Sequence, residues 1–353
     1  ASSLIGYFAN YKQTLLGADQ KNYVVTAYFQ TATIIKTIIQ MALAYYTGNY
    51  YLWVIVELSF GIIYSFILNW KINQVYPWLR SEVSQGRILF KKYPEVMKYT
   101  KQLFVHKFTT FIQFQTTPFL IYAFVSLQTV AFYGNYTIIT DKLSVFIGNL
   151  LGSTGAGVGN LIAEGDRNKI MKVFWELLAI RFWFASIFIF ALYFLLEPFI
   201  ILWLGKQYIL DKSILIILLC NVFIMQTRGV TDQFLYGYGL FRDVWAPIAE
   251  AVIYLVVALI AGSCLGLKGV LLGGIISMLI IVCGWKPVFL FKSGFHFPLY
   301  IYWFNWGKHL FLMFITFIIG DYVVALITID PAENYWEWIK YAMCITSIFI
   351  LMY

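Results

Sequence analysis

The sequence predicts an all-α protein that crosses a membrane many times, and three observations carry that expectation. Charged residues fill only 12% of the 353 positions and mean hydropathy is +0.75, whereas about a quarter of a soluble domain is charged. Apolar runs of roughly 20 residues recur from Tyr23 onward, each long enough to cross about 30 Å of hydrocarbon as a helix. These runs lack the alternation of barrel strands. Backbone amides in lipid must be satisfied within the segment or by a closed barrel, so helices remain.

Taken in order, the spans are expected near 23–46, 50–70, 102–125, 129–158, 172–195, 211–235, 244–263, 268–290, 299–327 and 334–353, about ten in all on a hydropathy window of about 19 residues. The uncharged turn Tyr45 to Tyr51 closes a first helical hairpin. A long loop, 71–101, follows with Lys71, Arg80, Arg87, Lys91, Lys92, Lys98 and Lys101 against Glu82 and Glu95, which predicts a cytoplasmic location. Arg167, Lys169, Lys172, Arg242, Lys286 and Lys292 are expected on the same side. The loop is the only sizeable interruption and reads as a linker between helix groups. Ser2 to Ala9 reads as the tail of a helix, so the chain is expected to lack helices at its N-terminus.

Aromatic residues reach 20%, with 26 Tyr and 12 Trp. Tyr45, Tyr46, Tyr50, Tyr51, Trp53, Trp336 and Trp338 cluster at span ends, where amphipathic rings sit among headgroups. The net charge of +8 resides in short loops and sets topology, so no nucleic-acid partner is expected. Phosphate-loop, zinc-protease and hydrolase signatures are missing from the sequence. Cys220, Cys264, Cys283 and Cys344 lie singly in apolar stretches and read as packing. His106, His296 and His309 lie near span ends without ligand spacing, so no metal, cofactor or catalytic residue is expected. The glycines of GNLLGSTGAGVGN read as close helix packing, Gly148 with Gly152, rather than a phosphate cradle. Pro118, Pro198, Pro247 and Pro287 are candidate kinks.

The chemistry resides in ionisable residues at depth: Lys36, Asp141, Lys142, Glu176, Arg181, Arg228, Asp232 and Glu250. Four cations left in lipid would cost on the order of 10 kcal/mol, so they must face a wet cavity or one another. Lys36, Lys142 and Arg181 lie roughly 14 to 21 Å along their helices from a predicted end, near the midplane. Arg228 and Asp232 share a face at i,i+4, as do Lys172 and Glu176, so each pair is open to mutual neutralisation. Lys36 has no acid within a turn, and Arg181 lies five residues from Glu176, on another face. These two are the stronger candidates for an anionic ligand. Lys142 shares a polar stripe with Asn135 and Asn149 at steps of seven.

The runs LLGADQKNYVV, VAFYGNYTIITDKLS, GVGNLIAEGDRNKIMKVFWEL, EPFIILWLGKQY, QFLYGYGLFRDVWAPIAEAVI and GLKGVLLGGIIS together resemble the polysaccharide branch of the multidrug/oligosaccharidyl-lipid/polysaccharide exporter superfamily, the Wzx-type flippases of O-antigen and capsule repeat units. The resemblance extends from about Tyr11 to about Lys292. It implies a two-lobed, MATE-like fold around a central cavity: 1–72 as the end of an N-terminal lobe whose earlier helices are missing, 73–100 as linker, 101–293 as a six-helix C-terminal lobe and 294–353 as an added helix pair.

The activity it implies is transfer of undecaprenyl-diphosphate-linked oligosaccharide to the outer leaflet of a bacterial inner membrane by alternating access. A diphosphate needs positive charge at the midplane, which nominates Lys36, Lys142, Arg181 and Arg228, with Asp141, Glu176, Asp232, Glu250, Asn135 and Asn149 in support. The implied partners are the lipid-linked oligosaccharide and membrane lipid, with ion or proton coupling and a polysaccharide polymerase or other glycan-assembly proteins as further candidates. Where many relatives carry an acid in the helix after the linker, this chain reads QFQTTPFLIY. A cation-coupled multidrug exporter of the same fold and a membrane-embedded glycan polymerase are the alternative readings.

Overall fold

The computed structural model describes residues 12–78 and 86–353, and every regular element among them is helical. Expectations that fall on Ser2 to Ala9, Arg80 and Glu82 lie outside the described residues. The chain divides into two compact units, Ala1–Pro94 and Glu95–Tyr353.

In the first unit, α1 (Gln13–Ala18) leads into a hairpin of α2 (Asn22–Thr47) and α3 (Tyr50–Val75), followed by the short α4 (Gly86–Lys92). The hairpin turns where Gly48 adopts φ +60°, and Asn49 accepts from the amide of Tyr51 at 2.9 Å. Glycine enters the left-handed region without steric penalty, and asparagine satisfies an orphan amide of the next helix. Leu16, Leu68, Ile72 and Tyr76 form a small core that holds α1 against the end of α3.

The second unit begins with α5 (Pro94–Phe124) and α6 (Leu127–Gly152). The predicted 129–158 span is broken at Ser153 and Thr154, after which α7 (Gly155–Glu164) sets off separately. Then come α8 (Arg167–Leu204), α9 (Lys212–Thr227) and α10 (Gly229–Gly237), the last two separated at Arg228. The helices α11 (Trp245–Leu265) and α12 (Leu267–Met278) form a tight hairpin. α12 continues through a π-helical stretch, Leu279–Trp285, into α13 (Lys286–Leu290) and a second π stretch, Phe291–Phe295. The pair α14 (Tyr300–Val324) and α15 (Tyr335–Met352) packs on α8. Asp166, Asp211 and Asn334 cap α8, α9 and α15 by accepting backbone amides of their first turns.

Among the described residues seven stretches are both long and apolar enough to cross a membrane, so the chain is a multi-pass membrane protein. The other three expected spans exist as α2, α5 and α15, but polar residues dilute them: Thr31, Thr33, Lys36, Thr37 and Gln40 in α2, Lys107, Gln113, Gln115, Thr116 and Thr117 in α5, Glu337 and Lys340 in α15. Pro118 and Pro198 lie inside α5 and α8, which continue as helices on both sides.

The expected glycine packing occurs elsewhere. A Cβ built on Gly148, Gly152, Gly155, Gly157 or Gly159 meets no atom of the described residues within 4 Å. A Cβ on Gly269 would lie 1.9 Å from the Ala261 carbonyl oxygen, and one on Gly273 2.9 Å from the Ala258 Cβ. The close helix contact is therefore the α11–α12 hairpin, where small residues let two backbones approach. The core of the unit is built on α8, with Phe174, Leu178, Phe182 and Ala185 buried against α9, α10 and the π-helical segment.

Candidate functional site

The break between α9 and α10 presents Arg228 to a half-buried ionic network. Its Nε donates to Asp232 Oδ2 at 2.9 Å, one turn along α10, and its Nη1 lies 4.0 Å from Glu250 Oε1 in α11. The Gln113 side chain of α5 lies beside Glu250, and four residues further on Thr117 shares a 2.6 Å hydrogen bond with the Tyr254 hydroxyl. Residues 113, 117, 250 and 254 thus join α5 to α11 through polar side chains at one-turn spacing.

A second centre adjoins this one. Asp243, in the connection before α11, is 1% exposed at its side chain, and its Oδ2 accepts from Lys286 Nζ at 3.1 Å and Trp285 Nε1 at 3.3 Å. Its Oδ1 lies 3.5 Å from His106 Nε2 of α5. Lys286 sits between the two π-helical stretches and is 6% exposed. Sequence reading placed it among the loop cations that set topology; it is instead a buried partner of Asp243. A buried charge stripped of water is tolerable only with such pairing.

Arg181 lies 7% exposed in α8, and its Nη1 reaches the Gln226 carbonyl oxygen at 3.4 Å, in the last turn of α9. The guanidinium lies against Gly229, where a Cβ would sit 2.2 Å from Nη1. Glycine at the start of α10 makes room for the arginine, and the carbonyl end of α9 supplies partial negative charge to receive it. Glu176 is exposed and 4.0 Å from Lys172, away from Arg181, on the face its spacing predicts.

Lys36 has a structural partner that sequence reading did not find. Its Nζ donates to Glu57 Oε1 of α3 at 2.8 Å, and the Gln40 amide donates to Glu57 Oε2 at 3.1 Å. Folding the chain about Gly48 and Asn49 brings position 57 opposite position 40, one turn from Lys36, so hairpin arithmetic held the signal. Lys142, Asp141 and Asn149 are exposed on α6 and Asn135 is half-buried. Neither Lys142 nor Asp141 is within 4.0 Å of an oppositely charged side chain among the described residues.

Within the second unit the structure therefore joins Arg228, Asp232 and Glu250 of the predicted set, seats Arg181 at the same helix break, and leaves Lys142 and Glu176 outside that network; in the first unit it pairs Lys36 with Glu57. It adds His106, Gln113, Asp243, Trp285 and Lys286. The network holds acids as well as bases, so Arg228 is already neutralised in this arrangement.

No family model matches the chain, and no curated protein matches it. Among solved structures, one described as "Lipid II flippase MurJ, inward closed conformation" is similar over 89% of this chain, with a TM-score of 0.51 and 17% identity. The chain spans 64% of the length of that structure. At that identity the likeness is one of fold, and this chain is an all-helical, multi-pass membrane protein built like that flippase.

Proposed function

We propose that the protein is a flippase that carries a lipid-linked oligosaccharide, an undecaprenyl-diphosphate-linked repeat unit, from the inner to the outer leaflet of a bacterial inner membrane by alternating access. The observation that carries this reading is the fold likeness to the lipid II flippase over 89% of the chain. It is supported by basic side chains placed within the helices, Arg181 and Lys286 in the second unit and Lys36 in the first, and by Arg228 at the break between α9 and α10. A diphosphate reaching Arg228 would compete with Asp232 and Glu250 for a guanidinium suited to phosphate oxygens. The resemblance of those runs to Wzx-type flippases supplies the substrate class, and the excess of Lys and Arg over 71–101 supports a cytoplasmic side for that segment.

Deleting the gene should trap lipid-linked repeat units on the inner leaflet, read by protease-free labelling of the glycan in spheroplasts. Arg228→Gln and Lys36→Gln, expressed at wild-type level, should each restore less than about a tenth of the flux, a loss matching one charge-assisted contact of 1.5–3 kcal/mol. Normal surface glycan in the deletion strain sinks the proposal. A drug exporter of the same fold would instead change resistance to cationic compounds and leave surface glycan intact.

A further inference from the structure

We propose that the first turns of α5 bind anionic phospholipid, through Lys98, Lys101 and Lys107 set around an exposed stripe of Met97, Phe104 and Phe108. The helix has 31 residues, about 46 Å at 1.5 Å per residue, against about 30 Å of hydrocarbon. Spanning as the sequence predicts for 102–125, α5 would leave roughly ten residues beyond the hydrocarbon. The lysines are all in the N-terminal half, so the overhang is at that end.

The two faces of α5 differ. His106, Gln113 and Thr117 turn toward Asp243, Glu250 and Tyr254. About 180° around the helix, Met97 is 39% exposed, Phe104 63% and Phe108 49%, and the last two rings stack with centroids 5.5 Å apart. Lys98, Lys101 and Lys107 are exposed beside this stripe. No acid among the described residues lies within 4.0 Å of any of them. Between positions 86 and 107 the chain carries Arg87, Lys91, Lys92, Lys98, Lys101 and Lys107 against the single acid Glu95.

Charge decides the occupant. Aromatic rings seek the acyl boundary while lysine stems lie along apolar surface and deliver the ammonium to the headgroups. An ammonium without a protein acid finds its counter-charge in the phosphate of an anionic lipid, whose surface attracts basic segments. A soluble acidic protein would satisfy the lysines but would leave the Phe104–Phe108 stripe without an apolar partner. The inference does not rest on the transport reading, because it concerns the outward face of α5 rather than the ionic network.

The test is native mass spectrometry of the full chain in micelles, titrated with dioleoyl phosphatidylglycerol or dioleoyl phosphatidylcholine. Phosphatidylglycerol should bind on the order of a hundredfold more tightly, roughly fivefold for each of the three lysines. Each lysine-to-glutamine change at 98, 101 or 107 should weaken it by roughly fivefold, with phosphatidylcholine unaffected. The triple arginine variant should retain the preference, and Lys169→Gln with Lys172→Gln should leave it alone. Glycerol 3-phosphate, a headgroup without chains, should compete poorly. Equal binding of the two lipids by the wild type overturns the proposal and leaves the lysines to a soluble acidic partner. So does an unchanged preference in the triple glutamine variant, or full competition by glycerol 3-phosphate.

Discussion

At the scale of single residues, the second unit depends on charges that are expensive to bury alone. Asp243 and Lys286 are each nearly inaccessible and bound at 3.1 Å. Lys286→Met leaves Asp243 with Trp285 and His106 but no fixed positive charge, and should cost about 3–5 kcal/mol in unfolding free energy. Lys286→Met combined with Asp243→Leu should cost less than the two single changes summed, because no orphaned charge remains. Denaturant unfolding in detergent measures both. Gly229 makes a sharper case: its Cβ would sit 2.2 Å from Arg181 Nη1. Gly229→Ala should destabilise by about 1–3 kcal/mol through overpacking, and that penalty should vanish in an Arg181→Ala background. A persistent penalty would place the constraint in the backbone at the break rather than in the arginine. Neither relation is visible in sequence, where Arg181 and Gly229 are 48 positions apart.

At the scale of elements, the helices follow from periodicity and caps, while their breaks follow from contacts. Asn49, Asp166 and Asn334 sit where capping chemistry predicts helix starts. The division at Arg228 and the π stretches around Lys286 carry no comparable local signal, since Gly229 alone does not distinguish a break from a packing contact. In the first unit, Asp19 joins the turn after α1 to the end of α3: its carboxylate is 2.6 Å from Lys21 Nζ and accepts from the Tyr76 hydroxyl at 2.7 Å. The hydrogen bond from Lys21 first, and that from Tyr76 second, hold the Asp19 carboxyl below its ordinary value. A carboxylate with a depressed folded-state value stabilises above the ordinary range and loses that contribution as pH falls through the folded value. Asp19→Asn should therefore lower the thermal midpoint at neutral pH, and the gap from wild type should close as pH drops below about 4. A gap independent of pH would assign the effect to geometry instead of charge.

At the scale of the whole molecule, the transport proposal makes the ionic network part of the working cycle. Arg228 is shared between Asp232 and Glu250, so Glu250→Gln should leave it freer to hold a phosphate. In the flux assay this change should tighten half-saturating substrate by a few-fold, the size of one lost surface-type to half-buried ion pair, whereas Arg228→Gln should raise it. Equal losses from both would count against competition at Arg228. The sequence by itself determined the solvent of this protein and its class of fold, because the free energy of burying apolar runs and backbone amides is a local property summed along the chain. It also named Arg228 with Asp232, whose i,i+4 spacing still brings them together at the start of α10, where the Asp232 amide donates to the Arg228 carbonyl. Only the tertiary structure decided that Lys36 meets Glu57, that Lys286 is buried on Asp243, and that glycine packing belongs to Gly269 rather than Gly148. Those outcomes rest on which helix faces which, and a span that is apolar on nearly every side carries little information about its neighbours until they are packed together.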